Sequence, residues 1–181
     1  MTTANLASEY GTINTNKIAA VTTGEIISNY TLNTTDFATA KCENGMLLMV
    51  DHYAKEVKVP AAITSKIWLV NSEVKDYENK GSKYFSIGLT DDFLPRLYKL
   101  QVGDIFETNC IVYTVETYAN YDAIVAAIDS TTVYGIPDTS GRIALVATLG
   151  GSEVCTLKVL EDVTMPNGED GLKFVVNSMS Y

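Results

Sequence analysis

Apolar side chains fall in two regimes along this chain. From Met1 to Ala40 most residues are Thr, Asn, Ala or Ser, and the apolar positions between them (Leu6, Tyr10, Ile13, Ile18, Ile27, Tyr30, Leu32 and Phe37 among them) sustain neither a helical stripe nor a long strand alternation. This predicts an extended N-terminal arm, residues 1–40, which another surface must order. From about Met46 onward short apolar or alternating runs recur between turn residues, which predicts a β-rich globular domain over residues 41–181.

Within that domain, Met46-Leu-Leu-Met-Val50 and Lys55-Glu-Val-Lys-Val59 read as a hairpin whose first strand is buried on both faces. Ile67 to Val70 and Tyr84 to Ile87 read as further strands, with a charged surface loop between them from Asn71 to Lys83. Pro95 interrupts any regular element at its own position, and Leu97, Tyr98 and Leu100 resume strand character. Val102-Gly-Asp104 supplies a turn, and Ile105 to Val115 reads as two strand pieces bent near Asn109. Tyr121 to Asp129 is the one helical segment, with Asp122 as its predicted N-cap. Val133-Tyr134, Ile143 to Leu149, Val154 to Leu160 and Leu172 to Val176 complete the strands. Gly150-Gly151 reads as a tight hairpin, and Pro166 to Gly171 as a sharp reversal. The expected fold is mainly β, a sandwich or barrel with one short helix and the extended N-terminal arm.

Charge narrows the partners. The net charge is −9, and the last 81 residues hold 11 acids against only Arg142, Lys158 and Lys173, while the first hundred hold 11 acids against 10 bases. No basic track exists in the second half to neutralise a phosphate backbone, so nucleic acid is not an expected partner. No run approaches the ~18 apolar residues of a membrane span, and the N-terminus has no basic and apolar signal segment, so neither membrane insertion nor export is expected. Cys42, Cys110 and Cys155 are odd in number and far apart, which predicts buried reduced thiols rather than disulfides or zinc ligands.

No residue set assembles a recognisable reaction centre. His52 is the single histidine and sits in the hairpin turn beside Asp51 and Tyr53, a position read as structural or exposed because no positioned partner accompanies it. Asp91-Asp92, and Glu169-Asp170 with Asp162, are the tightest acidic groups, but neither has the spacing of a calcium loop. No catalytic residue, metal or cofactor is expected. The eleven tyrosines point to contacts instead, since Tyr combines apolar area with a polar tip. Leu6, Tyr10, Ile13 and Ile18 are the expected anchors of the arm, with Tyr30 and the terminal Tyr181 as further interaction residues.

Asn44-Gly-Met-Leu-Leu-Met-Val-Asp-His52, Lys55-Glu-Val-Lys-Val-Pro60, Trp68-Leu-Val-Asn-Ser-Glu73, Pro95-Arg-Leu-Tyr-Lys-Leu-Gln-Val-Gly-Asp104 and Thr108-Asn109 together resemble stretches of tailed-bacteriophage virion structural proteins. The resemblance covers roughly the middle third of the chain. It implies a small β-rich protein present in many copies, made in the host cytoplasm and attached to the phage head as a decoration, cement or head-fibre component. The implied partners are the major capsid protein or other virion proteins, and further copies of the chain itself. A head–tail or tail-tube component is the nearest alternative. A carbohydrate- or receptor-binding β module is another, and it would need Trp68 or Tyr118 to line a groove.

Overall fold

A computed structural model describes residues 2–8, 10–14, 25–72, 86–90 and 94–180. The strands preceding residue 60 are β1 (Thr3–Asn5), β2 (Ile26–Ile27), β3 (Thr31–Leu32), β4 (Cys42–Glu43), β5 (Leu47–Asp51) and β6 (Glu56–Lys58). Then follow β7 (Trp68–Val70), β8 (Ser86–Ile87), β9 (Leu97–Tyr98), β10 (Ile105–Thr108) and β11 (Ile111–Thr114). After the helix α1 (Tyr121–Ser130) come β12 (Tyr134–Pro137), β13 (Ile143–Val146), β14 (Cys155–Thr164) and β15 (Asp170–Met179). The described residues are mainly β with one short helix, as the apolar pattern predicts.

Two mixed sheets carry the structure. A seven-stranded sheet runs β1-β11-β13-β12-β14-β15-β10, and a six-stranded sheet runs β2-β9-β7-β5-β6-β3; β4 and β8 form a separate pair. Leu47 and Leu69 face a cluster shared with Phe106, Ile111, Leu157 and Phe174 of the larger sheet, so this cluster lies between the two sheets. Leu48, Trp68 and Val70 face the opposite way, into a second cluster with Val57 and Leu97. Alternation along β5 and β7 therefore feeds two cores, which is why these runs are apolar throughout. Phe106 and Phe174 are register partners between β10 and β15, and their rings stack with centroids 5.8 Å apart.

Several turns follow the expected chemistry. The β5–β6 hairpin is antiparallel, with Met49 opposite Lys58. Gly103 has φ +95° in the turn before β10, where the amide of Asp104 donates to the carbonyl of Gln101. Residues 165–169 reverse the chain between β14 and β15, and Gly168 supplies the left-handed backbone there at φ +86°.

Three details depart from the sequence reading. The helix cap is Asn120, not Asp122: Asn120 Oδ1 accepts the amide of Ala123 at 3.0 Å, and Asp122 stands in the first turn, where its charge meets the positive end of the helix. Gly150-Gly151 joins β13 to β14, but these strands do not pair; β12 lies between them, so the turn is a crossover and not a tight hairpin. Asn71 and Ser72, placed in a surface loop by their polarity, are buried. Asn44 accounts for this: its Oδ1 accepts the Ser72 amide at 2.7 Å and its Nδ2 donates to the Ser72 carbonyl at 2.9 Å. The rest of that loop, residues 73–83, lies outside the described residues.

Candidate assembly interface

The opening stretch meets the body at every margin of the two large sheets. β1 forms one edge of the seven-stranded sheet by antiparallel pairing with β11, and residues 13 and 14 lie along the other edge, β10, through a bridge from Ile13 to Thr108. β2 and β3 are the two edges of the six-stranded sheet. Ile27, Leu32 and Phe37 also enter the second apolar cluster, covering the face of that sheet that points away from its partner. The surface that receives these residues belongs to the same chain.

Ser8, Gly11, Thr12 and Asn14 are held by a polar seam. Glu43 Oε2 accepts the Gly11 amide at 2.7 Å and a guanidinium hydrogen from Arg142 Nη2 at 2.8 Å. Burial pushes the Glu43 carboxyl above its ordinary pKa, against the opposing pull of the Gly11 amide and Arg142. Asn109, at the bend between β10 and β11, accepts both the amide and the hydroxyl of Thr12, at 2.6 and 2.9 Å, and donates to Glu169 Oε2 at 2.7 Å. Ser8 donates to the other oxygen of Glu169, and the Thr108 hydroxyl donates to the Thr12 carbonyl. Asn14 bonds Glu107 twice, amide to carbonyl at 2.9 Å and Nδ2 to Oε2 at 2.9 Å. Ile13, buried in the core between the sheets, is the apolar anchor within this polar run.

The residues singled out from sequence separate accordingly. Leu6 is half-buried against the main core, Ile13 is buried within it, and Tyr10 is half-buried. Tyr30 packs against the second cluster, and its hydroxyl lies 3.1 Å from His52 Nδ1. Ile18 and Tyr181 lie outside the described residues. The sequence marked Asn109 only as a bend and Arg142 only as one of three bases in an acidic half, and it gave no seam role to either or to Glu43.

Other candidate chemistry resolves into structural contacts. His52 sits edge-on to Trp68 with centroids 6.2 Å apart, and Lys99 Nζ lies over the Trp68 ring at 5.9 Å. Trp68 and Tyr118 are 5% and 4% exposed, so neither ring lines an open groove. Glu169, from one of the acidic groups, is taken up by Ser8, Asn109 and Asn167. Asp91 and Asp92 lie outside the described residues. Among the described residues no group of three or more His, Cys, Asp or Glu side chains is placed to hold a metal ion, and no helix is long and apolar enough to cross a membrane. All three cysteines are free and buried; burial pushes the Cys110 and Cys155 thiols up to about 12 and raises Cys42 as well.

No protein-family model matches this chain, and neither the curated proteins nor the solved structures compared with it yield a match.

Proposed function

We propose that this protein is a non-enzymatic structural component of a tailed-phage virion, a decoration or cement protein that stabilises the head through its N-terminal stretch and through self-association. The observation that carries the reading is the placement of β1, β2, β3 and residues 13 and 14 on the sheet margins. Three of the four margins of the two large sheets are strands of this polar segment and residues 13 and 14 lie along the fourth, so its backbone and side chains are presented to whatever the chain meets. Repetition over a symmetric shell then multiplies individually weak contacts into firm attachment. The sequence resemblance of the middle third supports the same reading. A sugar-binding module has less support, because both rings it would use are buried.

The test uses the intact chain, since Ile13, Ile27, Leu32 and Phe37 carry the opening stretch into the core and truncation at residue 40 would remove them. Phage shells assembled without the protein are mixed with it, sedimented and heated. Saturable co-sedimentation and a raised shell disruption temperature are expected; a chain that stays in the supernatant at every concentration would sink the proposal.

A further inference from the structure

The edge of the seven-stranded sheet at β1 is open. Leu6 donates its amide to Ile111 at 3.0 Å and Val115 donates to the Thr2 carbonyl at 2.9 Å, with Ala4 opposite Tyr113. Residues 2, 4 and 6 therefore turn their backbone groups toward β11. Thr3 and Asn5, by the alternation of an antiparallel ladder, turn theirs outward. Among the described residues those outward amides and carbonyls meet no partner, and both side chains are exposed.

The other sheet margins are shorter or covered. β10 is shielded by Ile13 and Asn14, and the six-stranded sheet ends in strands of two residues each. Thr3-Ala4-Asn5 is short, but it has no charge, no proline and no bulge to guard its edge.

We infer that the β1 edge is a pairing surface for a second copy of this chain, joined antiparallel about a twofold axis through Ala4. The pattern of groups fits this occupant in full. With Thr3 opposite the partner's Asn5, and Asn5 opposite its Thr3, each pair exchanges two backbone hydrogen bonds, and all the outward groups of both strands are satisfied by one symmetric register. Ala4 meets its own copy at the axis as a non-hydrogen-bonded pair, where side chains come closest and a methyl group fits. The three paired residues are uncharged, so no like charges are brought directly opposite one another. The contact joins two seven-stranded sheets edge to edge. It rests on the self-association part of the proposed function and not on attachment to a shell.

Sedimentation equilibrium of the intact chain, up to about 1 mM because a short ladder makes a weak contact, tests this without any shell. Salt near 0.5 M screens the repulsion of two chains of charge −9. A reversible dimer is expected. Asn5→Pro removes the outward amide while leaving the bonds to β11 in place, and weakens the dimer at least about tenfold, since each copy loses one hydrogen bond. Ala4→Cys joins two copies under diamide, because a non-hydrogen-bonded pair brings Cα atoms to about 4.5 Å, within disulfide reach. Thr139→Cys, on an exposed turn, links no faster than random collision, and the wild type stays unlinked because its thiols are buried. A wild type monomeric throughout, or Ala4→Cys linking no faster than Thr139→Cys, overturns the inference even if shells still bind the protein. Should Asn5→Pro fail to fold, the cysteine pair alone decides.

Discussion

Glu43 and Arg142, 99 positions apart in sequence, form a close ion pair of 2.8 Å whose side chains are only 8% and 11% exposed, and the same carboxylate oxygen holds the amide of Gly11. This one oxygen ties the opening segment to β4 and to the start of β13. Its charge is expensive to bury, which is why the Glu43 pKa rises despite two favourable partners. Glu43→Gln keeps an acceptor for Gly11 and for Arg142 but leaves the guanidinium without a counter-ion, so it should cost about 1–3 kcal/mol at neutral pH, less than full removal of the side chain. Glu43→Ala leaves both Gly11 and Arg142 without that partner and should cost roughly 3–5 kcal/mol. Urea denaturation of the two variants measures the contrast; equal losses would show that the charge itself stabilises the seam.

The pH dependence has two opposed contributions. Between the ordinary carboxylate range and its raised native pKa, Glu43 keeps a proton in the folded chain that the unfolded chain has released, so its contribution to stability falls as pH rises through that window. Asp51 behaves oppositely. The Ala54 amide, Lys58 and the Tyr53 amide hold its carboxyl down to about 2, so the stability it lends is present above the usual Asp range and is lost as pH falls toward 2. Thermal melts from pH 2 to 8 should show Asp51→Asn with a flatter acid limb than the wild type. Glu43→Gln should lack the decline that begins above the carboxylate range.

Gly135 lies in β12 against the centre of the main core. A Cβ there would sit 2.6 Å from Ile143 Cγ2 and 3.1 Å from Phe174 Cε1. Ile143 is β-branched and fully buried, so it has little room to move. Gly135→Ala should lower stability by about 1–3 kcal/mol through overpacking, whatever it gains in strand propensity. Pairing it with Ile143→Ala removes the contacting Cγ2 methyl group and should recover part of the loss in a double-mutant cycle; additive losses would place the strain elsewhere.

The cysteines offer a simple check on the core. Burial disfavours the thiolate at all three positions, and Cys110 and Cys155 are shifted to about 12. Ellman's reagent should therefore find no fast-reacting thiol in the native chain and three after denaturation. One fast thiol under native conditions would mark a local opening at that position.

What the sequence disclosed depended on how long each element is. β5, β14 and β15 are long enough to show their period, and the three-residue β7 lies in the unbroken apolar run Ile67 to Val70, so their positions follow from the sequence. β1, β2 and β3 have two or three residues each and pair with three different strands, so Leu6, Ile27 and Leu32 never share one period. A stretch that lacks periodicity can thus still be structured, one short ladder at a time. The helix cap was displaced because Tyr121 is already helical, its hydroxyl donating to the Gly171 carbonyl at 2.9 Å. The seam was illegible for a different reason: it joins residues 32 to 161 positions apart, and no local pattern marks such pairs.

Asn109 is the test of whether that seam holds the opening segment in place. Its side chain accepts twice from Thr12 and donates once to Glu169, and its own amide donates to the Thr12 carbonyl at 3.2 Å. Asn109→Ala strands the buried Thr12 amide and frees one Glu169 contact, which should cost about 1–3 kcal/mol. The loss should also be local. Hydrogen exchange at Gly11 and Thr12 should accelerate well before that of β14 and β15, because these two amides are held by side-chain acceptors while the long hairpin depends on its own ladder. Uniform acceleration across both regions would mean that the segment and the sheets open as one unit, and that the seam is part of the global fold rather than a separate latch.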